Sequence, residues 1–597
     1  MRRKEPIIDK VIENFSNKAY ESSRCIDLSK FKEEENLESY YYDELHEKEV
    51  EGFPIASEFV DSKGNSYDMI DYDGLSEEIK KELRLKYYYM PCLHELYVGT
   101  TGSGKTTGCV EPQVRALVSQ KNKPNIIITD PKGEIFNRNA EYIKNNGYQI
   151  FVLNFKDIAR SDRWNPFQEI YNSHMRLKEY MTPTKKIEKK DNKYYYDGKE
   201  FPNEKAVDDY INQQIEFINN DTDSLVKQIV TMLIPLQSKT DITWEYGAQT
   251  VASGVIYTML DKALDPSFNF TEDMFTLKTF FEFYEKLRID LADEDRLISY
   301  NELLNHPLVN KDEKAASQLK TVLTNSEKTK RNYLGVLDNH MSEWNYGHIF
   351  SITTGNTVRF ENMDKPFAIF VITRDYEKSD FKIAGLFIDY VYRTLLAEAE
   401  KKQRDGIALP TVHFMLDEFG NIPKIPSFEN KIATSRSRNI WMHLFLQSYE
   451  QMYNVYENAA ADVILSNCNS RIFLGSQSYK TIETFSVECG RKVINGGVIS
   501  EYGKINMIET NVLRKSDLDL IKVGSMYMKR IYSPVINTHY IRSYFLGKTG
   551  HYEMFNNDGL LKCTPKNNIV CSSSKYTFKM EKIKQKKQEN NMFADLF

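Results

Sequence analysis

Gly99-Thr100-Thr101-Gly102-Ser103-Gly104-Lys105-Thr106 is the stretch whose reading decides the fold. It fits the phosphate-cradling pattern G-x-x-x-x-G-K-[ST], follows the apolar-tinged run His94–Val98 and opens a helical pattern. Each residue type has a physical reason. The glycines let the backbone curl so that successive N–H groups point at one anion. The helix that begins near Lys105 adds its positive dipole end. Lys105 supplies a point charge for the β- and γ-phosphates, and the Thr106 hydroxyl is a candidate Mg²⁺ ligand. Gly99 to Thr106, with Thr107 after them, are therefore the cofactor-binding candidates for a nucleoside triphosphate.

A P-loop needs an acidic strand end, and the sequence offers one. Val412-His413-Phe414-Met415-Leu416 runs into Asp417-Glu418, the Walker B pattern. Asp417 can hold Mg²⁺ through water, and Glu418 can orient and activate the attacking water. Trp441–Leu446 reads as a further strand ending on Gln447-Ser448, where an amide can sense the γ-phosphate. Asn125-Ile126-Ile127-Ile128-Thr129 is a β-branched run, expected to be a buried parallel strand, and it ends in Asp130-Pro131-Lys132-Gly133-Glu134. Asp130 and Lys132 fit a satisfied turn or a ligand-binding edge. A helix closing at Gly147, a strand over 148–155 and a strand over 366–373 continue an alternation that predicts a doubly wound α/β sheet.

The periodicity turns helical from about 168 to 345, with apolar spacing over 223–236, 244–260 and 277–287. Residues 192–199 predict a small hairpin with a D-G turn. The block also carries Lys185, Lys186, Lys189, Lys190, Lys328, Lys330 and Arg331, which read as a solvated face or as DNA contacts. Pro112 is expected to kink or end the helix after the P-loop. The first 90 residues are polar and acid-rich, read as a small cap or a partly ordered arm. From Lys575 the chain is a polar tail with the basic run Lys582–Lys587.

The bulk numbers are those of a globular protein: 597 residues, 41% hydrophobic, 27% charged, net charge −6. That balance excludes a simple basic DNA binder. The seven cysteines form no C-x-x-C pair, which fits a reducing compartment without structural zinc. No apolar run approaches the ~18 residues that span a bilayer.

Several motifs then stand in one order: the P-loop, D-P-K-G-E at 130–134, W-N-P-F at 164–167, L-D-E-F at 416–419, and Ala433-Thr434-Ser435-Arg436-Ser437-Arg438 before Gln447-Ser448. In this the chain resembles the TraG/TraD-like coupling ATPases of type IV secretion, the DNA pumps of conjugation within the FtsK/HerA-like class of RecA-fold motors. The resemblance covers roughly residues 90 to 545. It implies a RecA-like P-loop NTPase domain with a parallel-rich central sheet and an inserted all-alpha domain, assembling as a homo-hexamer with ATP and Mg²⁺ between subunits. By position Lys105, Glu418, Gln447 and Arg436 would be the catalytic set, with Arg436, or its rival Arg438, reaching a neighbour's γ-phosphate. Thr106 and Asp417 would hold the metal. The expected domains are 1–90 as a cap, 91–167 and 346–545 as the two parts of the nucleotide-binding domain, 168–345 as the insertion, and 546–597 as a C-terminal extension.

The partners so implied are single-stranded DNA, a relaxase or relaxosome, and type IV channel components. Most relatives carry transmembrane helices before the P-loop, and here that region is polar. A small membrane-anchoring partner, and a position at the cytoplasmic face of the bacterial membrane, are the expectation. The rival readings are a nucleotide-switched substrate receptor that does not pump, and an FtsK/HerA-like pump for other DNA or protein cargo.

Overall fold

The computed structural model describes residues 24–541, apart from the segments 69–70, 72–73, 182–186, 191–192, 237–241, 269, 292–312, 324, 343, 359–364, 375, 405–409 and 500–504. Lys185, Lys186 and the whole C-terminal tail with its basic run fall outside the described residues. The chain divides into two compact units, Met1–Val152 with Phe360–Tyr376 and Tyr392–Ile569, and Leu153–Arg359 with Glu377–Val391 and Val570–Phe597.

The first unit is built on a ten-stranded sheet. Its strands lie side by side in the order Cys25–Asp27, Val535–His539, Ser525–Arg530, Ser470–Gly475, Glu95–Gly99, Ile440–Leu446, Val412–Leu416, Asn125–Thr129, Phe367–Ile372 and Gln149–Asn154. Glu95–Gly99 runs parallel to both its neighbours, as does Val412–Leu416. Ser525–Arg530 is antiparallel to both of its own. The apolar runs are strands because both faces are covered. Every residue of Asn125–Thr129, Val412–Leu416, Ile440–Leu446 and Phe367–Ile372 is buried, as a parallel sheet between helical layers requires.

Register then decides what meets at the sheet edge. Val98 pairs with Leu446, Leu444 with Leu416, and Leu416 with Thr129. The residues that follow these strands, the P-loop, Gln447, Asp417 and Asp130, therefore emerge along one edge, where open α/β sheets bind ligands.

The structure sharpens the sequence expectations for the first unit at three places. Residues 38–90, read as a cap or a partly ordered arm, contain a four-stranded antiparallel sheet in the order Glu38–Tyr41, Arg84–Met90, Phe53–Val60, Ser66–Tyr67. Its core is Phe53, Ile55, Phe59, Leu85, Tyr87 and Tyr89, each at most 1% exposed. Aromatic strands of this kind hide among the acidic residues around them, because tyrosine carries a polar hydroxyl but packs as an apolar ring. The helix after the P-loop begins with a π-helical turn over Thr106–Val110, and the α-helix Glu111–Ser119 carries Pro112 in its first turn. The irregularity thus sits just before the proline, whose ring is tolerated at a helix start. The hairpin of Arg491–Ile499 with Ile505–Asn511 had no counterpart in the sequence reading.

The second unit is mostly helical. Asn203 caps the helix Glu204–Leu233 by accepting from the Ala206 N–H at 2.8 Å. This helix starts well before the expected 223, since only Val207, Ile218 and Thr222 of its first part are buried and the apolar period is faint there. The D-G hairpin forms as expected, with Asp197 at φ 51° and Gly198 at φ 71° between Tyr196 and Lys199. Both central residues at positive φ make the turn that suits a two-residue hairpin. The W-N-P-F segment is an anchor. Trp164 packs on Phe387 and Tyr390 at 5.2 and 5.4 Å between ring centroids, and the Asn165 amide donates to the Phe275 carbonyl at 2.8 Å.

The central helix of this unit, Thr243–Leu264, meets its neighbours through small residues. A Cβ on Gly254 would lie 2.7 Å from Leu319 Cγ, and one on Gly247 would overlap the Tyr333 ring. A helical Gly→Ala change ordinarily stabilises by about 1 kcal/mol. Overpacking a filled core costs about 1–3 kcal/mol. For Gly247→Ala the clash is with an aromatic ring, so we expect a net loss, read as a lower urea midpoint. An unchanged or raised midpoint would show that the ring moves freely.

Acid will weaken the fold. Burial, with His443 and Arg436 nearby, pushes His94 down to about 4. Burial, opposed by Asp223, pushes His174 to about 4, and His413 lies well below its ordinary value. These rings bind protons in the unfolded chain before they do so in the folded one. Stability is then full above the unfolded value of about 6.5 and falls as pH drops from there toward 4. Thermal melting between pH 7.5 and 4.5 should show Tm falling steadily. Asp130 and Asp417, pushed up to about 7 and about 6 by burial, act in the opposite direction in the same window, so the slope is the histidines' loss less the carboxyls' gain. A Tm that rises toward pH 4.5 contradicts the burial of these rings.

Candidate nucleotide site

The pocket is assembled from three strand ends of the first unit. A cleft of about 210 Å³ is lined by Thr100, Thr101, Gly102, Gly104, Lys105, Thr106 and Thr107, by Asp130, Pro131, Lys132 and Glu134, and by Asp417 and Glu418. Gly102 and Gly104 hold φ values of 83° and 91°, a region in which a side chain is strained. The loop is pinned at both ends. Thr100 N–H donates to the Gly475 carbonyl at 3.0 Å, and Gly108 N–H to Gly104 at 2.7 Å. A Cβ on Gly99 would come 2.5 Å from Ser103 Oγ and 3.1 Å from Leu474 Cβ. Gly99→Ala should therefore weaken nucleotide binding at least tenfold while the fold still melts cooperatively. Equal affinity would show that the loop adapts.

The Lys105 ammonium donates to the carbonyl of Gly99 and to that of Thr100 at 3.4 Å. Burial lowers its pKa, while Asp417 and Glu418 act in the opposite direction. Asp417 is pushed up to about 6 by burial, against the pull of Lys105. Its backbone carbonyl accepts from the Thr129 hydroxyl at 2.8 Å, which fixes it against the neighbouring strand. Glu418 sits at φ 50°, and its carboxylate accepts from the Asn421 amide at 2.6 Å. A left-handed glutamate costs on the order of 1–3 kcal/mol, the kind of strain that persists at working sites.

Asp130 is the residue the sequence left between a turn and a ligand edge. Its Oδ2 accepts from Phe136 N–H at 2.8 Å, and its backbone carbonyl from Gly133 N–H at 3.0 Å, so it does close a turn. It also lines the cleft, and burial, with Asp417 nearby, pushes its carboxyl up to about 7. Lys132 lines the same cleft and acts electrostatically on both Lys105 and Asp417. Glu134 was not singled out beforehand. The strand-end position of D-P-K-G-E was the signal for all three.

Four expected site residues do not line this chain's cleft: Gly99 and Ser103, which belong to the loop itself, and Gln447 and Arg436. Gln447 follows the strand that lies between the P-loop strand and the acidic strand, and its N–H donates to Gln451 Oε1 at 2.8 Å. Its side chain is not among the residues lining the cleft. Arg436 precedes that same strand, so it lies at the opposite edge of the sheet, a strand length of roughly 23 Å away. It is exposed. Arg438 instead donates to the Thr434 carbonyl at 3.2 Å and to Ser437 Oγ at 2.7 Å.

The donor set suits one divalent cation of the hard kind. A threonine hydroxyl and buried carboxylates at a phosphate loop match Mg²⁺, which keeps waters and phosphate oxygens as its other ligands. Among the described residues no cluster of three or more acids, histidines or cysteines stands ready to cage a metal with protein ligands alone.

A P-loop, an acidic strand separated from it by one further parallel strand, and a sheet continued by antiparallel strands define a RecA-like P-loop NTPase. Residues 80–516, more than half of the chain, match the family model for type IV secretory system conjugative DNA transfer, and the chain belongs to that family. The coupling protein TraD of Escherichia coli strain K12 is 26% identical over 264 residues, which is 44% of this chain and 33% of TraD. The matched stretch thus spans about a third of that relative's length. By structure the chain is similar to the bacterial conjugative coupling protein TrwBdeltaN70 in its trigonal form in complex with sulphate. The TM-score is 0.50 at 12% identity, covering 75% of this chain and 85% of that one. The plasmid coupling protein TrwB in complex with the non-hydrolysable ATP analogue ADPNP gives a TM-score of 0.47 at 13% identity, covering 75% and 84%. No helix among the described residues is long and apolar enough to cross a membrane.

Proposed function

We propose that this chain is the ATP-hydrolysing motor of conjugative transfer, driving relaxase-bound single-stranded DNA into a type IV secretion channel. The observation that carries this is the convergence of Lys105, Thr106, Asp417 and Glu418 on one cleft, within a chain of the conjugative DNA-transfer family. The P-loop amides and Lys105 bind and orient the triphosphate. Thr106 and Asp417 hold Mg²⁺, which, when bound, neutralises charge on the β- and γ-phosphates. Glu418 accepts the proton of the attacking water, and Asn421 steadies its carboxylate.

Arg436 completes the site of a neighbouring subunit in a homo-hexamer. It lies a strand length from its own P-loop, so it can serve only another chain's phosphate. Gln447, which follows the intervening strand, reports the γ-phosphate to the helix after it. The helical unit receives the substrate complex, and a small membrane partner holds the assembly at the cytoplasmic face of the membrane.

The test is phosphate release from Mg-ATP with and without single-stranded DNA. We expect turnover stimulated by DNA. Turnover indifferent to DNA would favour the receptor that does not pump, and no turnover under any condition would sink the motor. Shared sites have their own test. Arg436→Ala and Lys105→Ala proteins should each be inactive, and mixing them should restore part of the activity, because one lends its arginine to the other's intact P-loop. No recovery on mixing would remove Arg436 from its role in trans.

A further inference from the structure

The cleft holds a second lysine beside Lys105. Lys132 lines it too, from the turn that follows Asn125–Thr129 rather than from the P-loop. The strand order sets the two apart. From the P-loop strand Glu95–Gly99 the sheet passes through Ile440–Leu446 and Val412–Leu416 before it reaches Asn125–Thr129. Asp417, at the end of Val412–Leu416, therefore stands between the lysines. Burial raises its pKa, and Lys105 and Lys132 both draw it back down, so both charges reach the metal position.

The backbone under Lys132 is fixed. Asp130-Pro131-Lys132-Gly133 is a tight turn closed by Gly133 N–H on the Asp130 carbonyl at 3.0 Å. Pro131 sets one backbone angle of that turn. Gly133 takes φ 74°, a value that a side chain resists. The Asp130 side chain, 2% exposed, ties the turn to the helix Glu134–Asn145 by accepting from Phe136 N–H at 2.8 Å. The lysine itself is exposed at the cleft. A ligand that it grips thus orders one side chain and no loop, which keeps the entropic cost of binding low.

The charge balance of the cleft supplies the ligand. Four carboxyl groups line it, on Asp130, Glu134, Asp417 and Glu418, against the two lysines. A triphosphate with one Mg²⁺ still carries net negative charge. Its γ end belongs at the acidic strand, because a metal at Thr106 and Asp417 bridges the β- and γ-oxygens. A γ-phosphate there is surrounded by carboxyl groups and needs a cation on the side away from the P-loop. Arg436 of the same chain is at the opposite edge of the sheet.

We propose that Lys132 is a further catalytic residue, which grips the γ-phosphate within its own chain, opposite Lys105. This rests on the nucleotide reading of the cleft and adds how the chain tells a triphosphate from a diphosphate. In the reaction, water forms the new bond to phosphorus and its proton goes to Glu418. ADP leaves with the electron pair of the broken bond, and Lys132 stays on the oxygens of the transferred phosphoryl group.

The experiment compares, by calorimetry on the full chain, Mg-ADP with a Mg-bound ATP analogue that has an imido link between its β- and γ-phosphates. Lys132→Ala should weaken the analogue at least about tenfold, as loss of a charge-assisted contact does, and leave ADP within about twofold. Lys105→Ala should weaken both. Lys132→Arg should restore most of the analogue's affinity. The effect should be equal in dilute and concentrated protein, because no neighbour takes part. A native chain that binds neither nucleotide sinks the nucleotide reading and this inference with it. A native chain that binds both, with Lys132→Ala losing the two equally or losing none, overturns the γ-phosphate contact and leaves the nucleotide reading standing. A loss confined to concentrations at which chains associate also overturns it, since the lysine would then serve a neighbour's site.

Discussion

Lys105→Ala is expected to weaken Mg-ATP binding by about 100-fold and to reduce turnover to background. The size follows from what is lost. A charge-assisted contact to phosphate contributes about 1.5–3 kcal/mol, and a factor of 100 corresponds to about 2.7 kcal/mol. The fold should hardly notice. The ammonium's partners in this chain are two loop carbonyls, Gly99 and Thr100, which water can satisfy. Removing the lysine also removes the cost of burying its charge, which already lowers its pKa. Titration calorimetry with Mg-ATP and a urea melt separate the two effects. If affinity falls and the melt falls with it, the loss is structural and the binding role of Lys105 is unsupported. If affinity is retained, the P-loop reading fails at its centre.

Glu418→Gln should have the complementary signature. Nucleotide affinity should stay within about threefold while turnover falls by about 100- to 1,000-fold, the range that a positioned general base contributes. The amide is isosteric and can still pair with Asn421, so the left-handed backbone at Glu418 is kept. Asp417→Asn should differ, since it removes charge from the metal position and should lower Mg²⁺-dependent affinity as well. A Glu418→Gln protein that turns over at the native rate would place the base elsewhere, and Asp130 would be the first residue to examine, because it lines the same cleft.

Local signals carried much of this in the sequence. The P-loop is contiguous, so its glycines, lysine and threonine announce themselves. The parallel strands are runs of apolar residues buried on both faces, and such runs need no partner to be recognised. The acidic pair at 417–418 stands at the end of one of these runs. What resisted reading was non-local or masked by composition. The tyrosine-rich sheet of residues 38–90 passes for a polar segment until Tyr87 and Tyr89 are seen in its core. The first half of the helix Glu204–Leu233 buries too little to show a period. The hairpin at 491–511 leaves Val493, Ile494 and Ile508 exposed, so alternation did not reveal it.

The sequence by itself determined the chemistry: a triphosphate loop, an acidic strand end, and the order of motifs that marks the conjugative family. Which residues share the site was a tertiary decision. Lys105 and Asp417 are separated by a helical unit and meet only because strand register aligns Val98, Leu446, Leu416 and Thr129 at one edge. The same register brought Asp130 and Lys132 into the cleft and sent Arg436 to the far edge, because parallel strands put all their beginnings on one side and all their ends on the other.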